Sequence, residues 1–163
     1  MNYAKYDCLT DERYDVAEYI AKMFEYAIKT KMLDLQEFSY KFLFTRLTNP
    51  FNFKSNIWKK NFDEIIDLIE NDDVLDTIGW LPIKEGCYDD SNSMAYCGNM
   101  GHWFGYLVVS WLITDSINGY FLMKNYKMET IFNDYERFHC LSITVAIEEI
   151  KKYYKINSDK VNE

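Results

Sequence analysis

The sequence contains 2 histidines and 4 cysteines, the side chains that most often bind metals or act as nucleophiles. Cys97 lies shortly before His102, and His139 is followed directly by Cys140. These ligand types suit zinc, but neither spacing matches a common structural zinc site, and adjacent helical residues point about 100° apart. No pattern marks an oxyanion hole or an activated thiol that would make Cys97 or Cys140 a nucleophile. We therefore predict no catalytic residue, no metal site and no cofactor.

The alternative is that the protein binds a ligand, or acts on one, in a pocket built from aromatic side chains. Aromatic residues make up 18% of the chain. The candidate ligand-binding residues are His102, Trp103, Tyr135 and His139, with His139 as the acid–base group because the ordinary pKa of histidine lies near neutral pH. The sequence identifies no acid that would orient His139. The competing interpretation is that both histidines are partly buried and hydrogen-bond to the backbone or to acids.

A run of acidic residues indicates a different kind of function. Residues 61–76 contain no lysine or arginine but hold the following acids: Asp63, Glu64, Asp67, Glu70, Asp72, Asp73 and Asp76. The run is either a solvated helix face or an electronegative surface that docks a basic partner or imitates a nucleic-acid backbone. Its spacing does not match a calcium-binding loop. The predicted partner-binding residues are Asp63, Glu64, Asp67, Glu70, Asp73 and Trp80.

The net charge disfavours one broad class of function. The chain carries 26 acidic and 18 basic residues, for a net charge of −8. Binding nucleic acid requires lysines and arginines that neutralise phosphates, and this chain has few of them. We therefore expect a protein partner and no nucleic-acid partner. The oligomeric state stays open.

The most apolar segment of the chain, residues 101–113, is interrupted only by His102 and Ser110. A bilayer-spanning helix needs about 20 mostly apolar residues, so this segment predicts a buried helix rather than a membrane span. The first residues lack the apolar core of a signal peptide. We expect a cytoplasmic protein without membrane association, whose cysteines are free, buried thiols.

The composition predicts an all-α, single-domain helical bundle. The chain has only 6 glycines and 2 prolines, which is too few for a protein rich in tight turns. We expect about five to seven helices around a central apolar helix over residues 93–118, with Gly119 as its C-terminal cap. Leu107 and Trp111 should be among the least exposed residues. The predicted domain covers residues 1–156, and residues 157–163 form a disordered polar tail.

Capping residues and apolar periodicity place the other helices. The first begins at Thr10 or Asp11, and the second and third begin after the caps Asp34 and Asn61. The apolar stripe of the first helix consists of Val16, Tyr19, Ile20, Met23, Phe24, Ala27 and Ile28. The apolar face of the third consists of Phe62, Ile65, Ile66, Leu68 and Ile69. Residues 51–60 are a connector, residues 74–92 are a loop, and two further helices cover 127–135 and 141–154.

Scattered aromatic positions give the chain a resemblance to an uncharacterised family of short bacterial proteins. The residues that carry it are Tyr3-Ala4-x-Tyr6-Asp7-Cys8, Trp103-x-Gly105-Tyr106, Phe121 and Tyr135-x-x-Phe138-His139. Genes of that family lie beside small modules that encode a short helical antitoxin-like protein and an ADP-ribosyltransferase-type toxin. The resemblance implies a companion role in a toxin–antitoxin or defence-type module.

The chain also departs from the family pattern at two places. Cys140-Leu141-Ser142 stands where the family has acidic residues, and Leu112 and Ile113 lie near the positions of its late glutamine and tryptophan. The function that we predict is therefore a cytoplasmic, non-enzymatic, protein-binding antitoxin or regulator. The alternative is a small helical enzyme or ligand-binding domain with an aromatic pocket and His139 as acid–base group.

Overall fold

The computed structural model describes residues 11–71, 91–126 and 128–161. Within these ranges there are α-helices and short 3₁₀-helices but no β-strand, which confirms the predicted all-α fold. The α-helices are α1 (Asp11–Lys29), α2 (Leu35–Phe44), α3 (Phe62–Glu70), α4 (Ser91–Asp115), α5 (Gly119–Tyr126), α6 (Tyr135–Phe138) and α7 (Ile143–Val161). The 3₁₀-helices are Arg46–Thr48, Pro50–Lys54, Asn56–Lys59 and Met128–Asp134.

Helices α1 and α4 form the most extensive helix pair of the described structure. Ile20, Phe24 and Ala27 on α1 are fully buried, as are Leu107 and Trp111 on α4. The burial of Leu107 and Trp111 confirms that part of the prediction. The central place of α4 stays a prediction, because its packing is dominated by this one neighbour.

The close packing of α1 and α4 depends on a glycine. An added Cβ at Gly105 would lie 3.1 Å from both the Ala21 Cα atom and the Ile20 carbonyl oxygen. The sequence predicts that Gly101 and Gly105 let another backbone approach α4. The structure shows that approach at Gly105, whereas the nearest atoms at Gly101 belong to side chains, beginning with Leu35.

The predicted caps of α2 and α3 are present. The Asp34 carboxylate accepts a hydrogen bond from the Glu37 backbone N–H at 2.9 Å. The Asn61 side-chain oxygen accepts from the Glu64 N–H at 2.9 Å, and its side-chain amide donates to the Glu64 carboxylate at 2.7 Å. The predicted inward position of Leu68 is wrong, because Leu68 is 43% exposed. Ile65, Ile66 and Ile69 occupy the buried face of α3.

The end of α4 differs from the prediction. The helix stops at Asp115, and Ser116 has the left-handed φ angle of 55° that terminates it. Gly119 is not its C-terminal cap; it is the first residue of α5. An added Cβ there would lie only 2.0 Å from the Leu43 carbonyl oxygen at the end of α2. Gly119 is therefore needed for close contact between helices.

The C-terminal third also differs in its helix boundaries. Residues 128–134 are 3₁₀-helical, and only the four-residue α6 follows, instead of one α-helix over 127–135. Helix α7 covers 143–161 rather than 141–154. The assignment of residues 157–163 to a disordered polar tail stays a prediction. The connector 51–60 contains two short 3₁₀-helices.

Three other predictions concern features that fall outside the described residues: a helix start at Thr10, the loop 74–90 and the thiols of Cys8 and Cys87. Across the described ranges, no helix combines the length and hydropathy required to cross a membrane.

Candidate functional site

The acidic surface of α3 is partly neutralised by lysines from other elements. The Lys31 ammonium lies 3.1 Å from the Asp63 carboxylate, and the Tyr26 hydroxyl donates to both of its oxygens at 3.1 Å. These contacts lower the pKa of Asp63 and keep it ionised. Lys60 lies 3.6 Å from the Glu64 carboxylate. The acidic run contains no lysine, but two of its carboxylates are paired with lysines from outside α3.

Of the remaining predicted partner-binding residues, two lie on α3 and two lie in the segment that the structure does not describe. Asp67 is exposed and Glu70 half-buried, and neither carboxylate forms an ion pair within the described ranges. Asp73 and Trp80 lie outside the described residues. The described acidic surface, which we call the α3 acidic face, thus consists of Asp63, Glu64, Asp67 and Glu70.

A cluster of exposed aromatic rings lies where α2 and α5 meet. The Tyr40 and Phe44 ring centroids are 4.7 Å apart, and the Phe44 and Tyr120 centroids are 5.7 Å apart. Tyr40 is 38% exposed and Tyr120 is 50% exposed, while Phe44 is half-buried. We call these three residues the aromatic patch. Sequence reasoning missed it; the four-residue spacing of Tyr40 and Phe44 was the available signal.

The aromatic patch is connected to the end of the α3 acidic face through Lys41. This side chain is largely buried, and its ammonium donates to the Glu70 backbone carbonyl at 2.6 Å. A cation at a helix C-terminus interacts favourably with the helix dipole. Lys41 therefore joins α2, which carries Tyr40 and Phe44, to the C-terminal end of α3.

Three of the four predicted ligand-binding residues lie together. The Tyr135 ring is 5.3 Å from the Trp103 ring and 4.4 Å from the His139 ring, with which it is stacked. Tyr96 extends the cluster at 5.5 Å from Tyr135, and its hydroxyl donates to the Glu136 carboxylate. That bond raises the pKa of Tyr96 to about 12. Tyr96 was not predicted.

His139 is exposed and has no neighbouring acid in the described structure. Its Nδ1 atom lies 2.9 Å from the Tyr135 carbonyl oxygen, four residues earlier in the chain. That contact fixes the ring against the backbone. The proposal that His139 acts as an acid–base group stays a prediction, since none of the described carboxylates forms an ion pair with it.

His102 does not belong to the ring cluster of Trp103, Tyr135 and His139 but lies beside it, next to Trp103. Its Nδ1 atom lies 3.6 Å from a Glu25 carboxylate oxygen, within a groove of about 440 Å³ that Trp103 also lines. Lys29 donates to Glu25 at 2.8 Å and lowers its pKa, an effect that His102 reinforces. The structure therefore gives an acidic neighbour to His102, and sequence reasoning did not find Glu25.

The two described cysteines are free thiols, as expected, but neither is buried. Cys97 is half-buried and Cys140 is exposed. Burial, together with nearby Asp34, raises the pKa of the Cys97 thiol, which disfavours the nucleophilic thiolate. Within the described ranges, no group of three histidine, cysteine, aspartate or glutamate residues is arranged to hold a metal ion.

The helices described above form an all-α, single-domain fold. No known protein family, curated protein or solved structure matches this chain.

Proposed function

We propose that the protein is a cytoplasmic, non-enzymatic component that binds another protein, as an antitoxin or regulator does in a bacterial toxin–antitoxin or defence module. The observation that carries the proposal is the aromatic patch of Tyr40, Phe44 and Tyr120. The resemblance of the sequence to the family beside such modules supports the same role. The partner is proposed to be a basic protein.

The aromatic patch has the properties of an interface anchor. Tyrosine and other aromatic residues are enriched at protein interfaces because they bury a large area at a small cost in side-chain entropy. The Tyr40, Phe44 and Tyr120 rings already contact one another, so binding would order few additional torsions. Contiguous exposed apolar surface is uncommon on monomeric proteins and often marks an interaction site.

The α3 acidic face is proposed to steer the partner towards the patch. Because Lys31 and Lys60 neutralise Asp63 and Glu64, the uncompensated charge of the face is carried by Asp67 and Glu70. Uncompensated surface charge accelerates association with an oppositely charged partner and contributes less to final affinity. In this proposal the aromatic patch provides affinity and the α3 acidic face accelerates association. Two experiments test these roles separately.

The aromatic patch is tested by replacing Tyr40 and Tyr120 together with serine. The chain is co-expressed with the products of the genes adjacent to its own, and complexes are isolated by size-exclusion chromatography. We expect the wild type to form a stable complex. The double variant should bind with an affinity at least about tenfold lower, because aromatic anchors each contribute more than 1 kcal/mol at typical hot spots.

The matched control is Phe51→Ser, which removes an exposed aromatic ring that is not one of the three rings of the patch. It should leave the complex intact. Failure of the wild type to form a complex with any of these products contradicts the proposed module. Equal binding by the wild type and the Tyr40→Ser, Tyr120→Ser variant shows that the patch is not the interface.

The steering role is tested by reversing three acids to lysine: Asp67→Lys, Glu70→Lys and Asp73→Lys. We expect the association rate at low salt to fall by about tenfold or more, measured by stopped-flow or surface-based kinetics. The difference should shrink as salt screens the charges. A control with the same charge change, Asp15→Lys, Glu18→Lys and Glu149→Lys, should slow association much less. Equal rates for the two triple variants would exclude this face from the encounter.

A further inference from the structure

A cavity of about 740 Å³ lies beside α1. Its walls are α1, the two 3₁₀-helices Pro50–Lys54 and Asn56–Lys59, and the end of α4 at Ile113 and Ser116. Small-molecule sites typically enclose about 300–1,000 Å³, so the cavity has the size of a ligand site. The sequence predicts only a connector in residues 51–60, which form part of the cavity wall.

The aromatic walls of the cavity are held in place by internal hydrogen bonds. The Trp58 indole N–H donates to the Asn52 carbonyl at 2.9 Å, and the Tyr19 hydroxyl donates to the Lys60 carbonyl. Trp58 stacks on Phe53 at 5.8 Å and meets Tyr19 edge-on at 6.1 Å. Phe53 and Trp58 are each only 4% exposed. Because the polar atoms of Tyr19 and Trp58 are already bonded, these rings form a fixed, apolar floor behind the partly exposed Tyr19 ring. Burial, aided by Glu64, raises the pKa of Tyr19 to about 12, so its hydroxyl is neutral.

The rim of the cavity combines one exposed aromatic ring with two lysines. In a 3₁₀-helix, residues i and i+3 lie on the same side, which places Phe51 beside Lys54 and Asn56 beside Lys59. Phe51 is 72% exposed, the highest exposure among the large apolar residues described. Lys54 and Lys59 are exposed, and neither pairs with an acid in the described ranges. Asp15 is the acid that also lines the cavity.

This charge arrangement is informative in a protein with net charge −8. Lys22, Lys29, Lys31, Lys60, Lys151 and Lys152 each lie within 4 Å of an acid. Lys54 and Lys59 instead flank an aromatic cavity without such a partner. An aromatic anion bound there would gain hydrogen bonds from two ammonium groups, while its ring would lie against Tyr19, Val16 and Phe51.

We propose that this cavity binds a small planar aromatic molecule that carries an anionic group, either a carboxylate or a phosphate. The ring lies against Val16, Tyr19 and Ile113, above the floor formed by Phe53 and Trp58, and Phe51 covers its outer side. Lys54 and Lys59 bind the anionic group at the rim. The lining of this site shares no residue with the aromatic patch or the α3 acidic face, so the proposal stands independently of the proposed protein-binding role.

The proposal is tested with four probes that share one ring system: 1-naphthyl phosphate, 1-naphthylacetate, neutral 1-naphthalenemethanol and cationic 1-naphthylethylamine. Binding to the full chain is measured by calorimetry and by the NMR shift of the Trp58 indole N–H. We expect at least one anion to bind with a submillimolar Kd, about tenfold or more tightly than the amine. Comparison of the phosphate with the carboxylate identifies which anionic group the site prefers.

Substitutions of exposed rim residues test the anion-binding part and the ring-binding part of the site separately. They leave the core of the protein intact. Replacing Lys54 and Lys59 with alanine should weaken the anions about tenfold and leave the neutral alcohol unchanged. Phe51→Ala should weaken all the probes that bind. The control Lys22→Ala, Lys124→Ala has the same net charge as the lysine double variant and should bind the anions as the wild type does.

Four outcomes overturn the proposal. The first is that neither anion binds at millimolar concentration, and the second is that the anions and the amine bind equally. The third is that the Lys54→Ala, Lys59→Ala variant binds the anions as tightly as the Lys22→Ala, Lys124→Ala control. A shift confined to other tryptophan indoles would likewise place binding outside this cavity.

Discussion

Truncating Trp111 to alanine should lower the free energy of unfolding by about 3–5 kcal/mol. Trp111 is fully buried on α4 and packs against the Tyr126 ring of α5 at 4.9 Å. The Lys151 ammonium of α7 lies 5.7 Å from the centre of the indole. The substitution therefore opens a cavity between three helices and removes the ring contacts that hold α5 and α7 against α4. Urea denaturation followed by circular dichroism measures the change.

The matched control is Phe51→Ala, which truncates an aromatic ring that is 72% exposed. It should change the free energy of unfolding by less than about 1 kcal/mol, since little buried apolar area is lost. A Trp111→Ala cost below about 1 kcal/mol would place α4 at the periphery rather than at the centre of the helical packing. The experiment thus also tests the predicted central position of α4.

The local parts of the fold could be predicted because their signals are short-range. The apolar stripe of α1 repeats every three or four residues, and Ile20, Phe24 and Ala27 are indeed buried. The cap of α2 depends on residues three positions apart, and the cap of α3 does too. Such features follow from backbone geometry and need no knowledge of distant contacts.

The parts that sequence reasoning missed depend on contacts between distant segments. Glycine is the residue type that most often caps the C-terminus of a helix, which is why the sequence predicts that role for Gly119. Its actual role is set by close contact with the Leu43 carbonyl. The left-handed residue that ends α4 is Ser116, which no glycine pattern could indicate. The 3₁₀ geometry of Pro50–Lys54 and Asn56–Lys59 likewise has no distinctive residue spacing.

The same limit applies to the candidate sites. The acidic run looks uncompensated in the sequence, but Lys31 approaches Asp63 from the end of α1. Glu25 is the acid beside His102, although the two residues belong to different helices far apart in the chain. A sequence pattern predicts which residues carry charge or rings, whereas pairing between elements decides which of them remain available to a partner.

Replacing Gly119 with alanine should destabilise the protein by about 3 kcal/mol, which is large for the addition of one methyl group. The new Cβ atom would lie 2.0 Å from the Leu43 carbonyl oxygen and 2.8 Å from its carbonyl carbon and Cα atom. Because these are backbone atoms, the clash can be relieved only by moving α5 away from α2. That movement would stretch the 3.1 Å hydrogen bond from the Gly119 N–H to the Thr48 hydroxyl.

The control Gly98→Ala isolates this effect from the general consequences of replacing glycine in a helix. At Gly98 the nearest atoms to an added Cβ belong to the flexible Lys29 side chain, beginning with Cε at 2.5 Å. The Lys29 Cγ atom would lie 2.7 Å away, so this side chain must change its rotamer and weaken its 2.8 Å ion pair with Glu25. Alanine favours the helix by up to about 1 kcal/mol, so the control should cost much less than Gly119→Ala. Denaturation and amide exchange at residue 119 measure both variants. If Gly119→Ala and Gly98→Ala had equal stability, α2 and α5 would not be in backbone contact at this position. Only a neighbour that cannot move, such as the Leu43 backbone, makes the added methyl group costly.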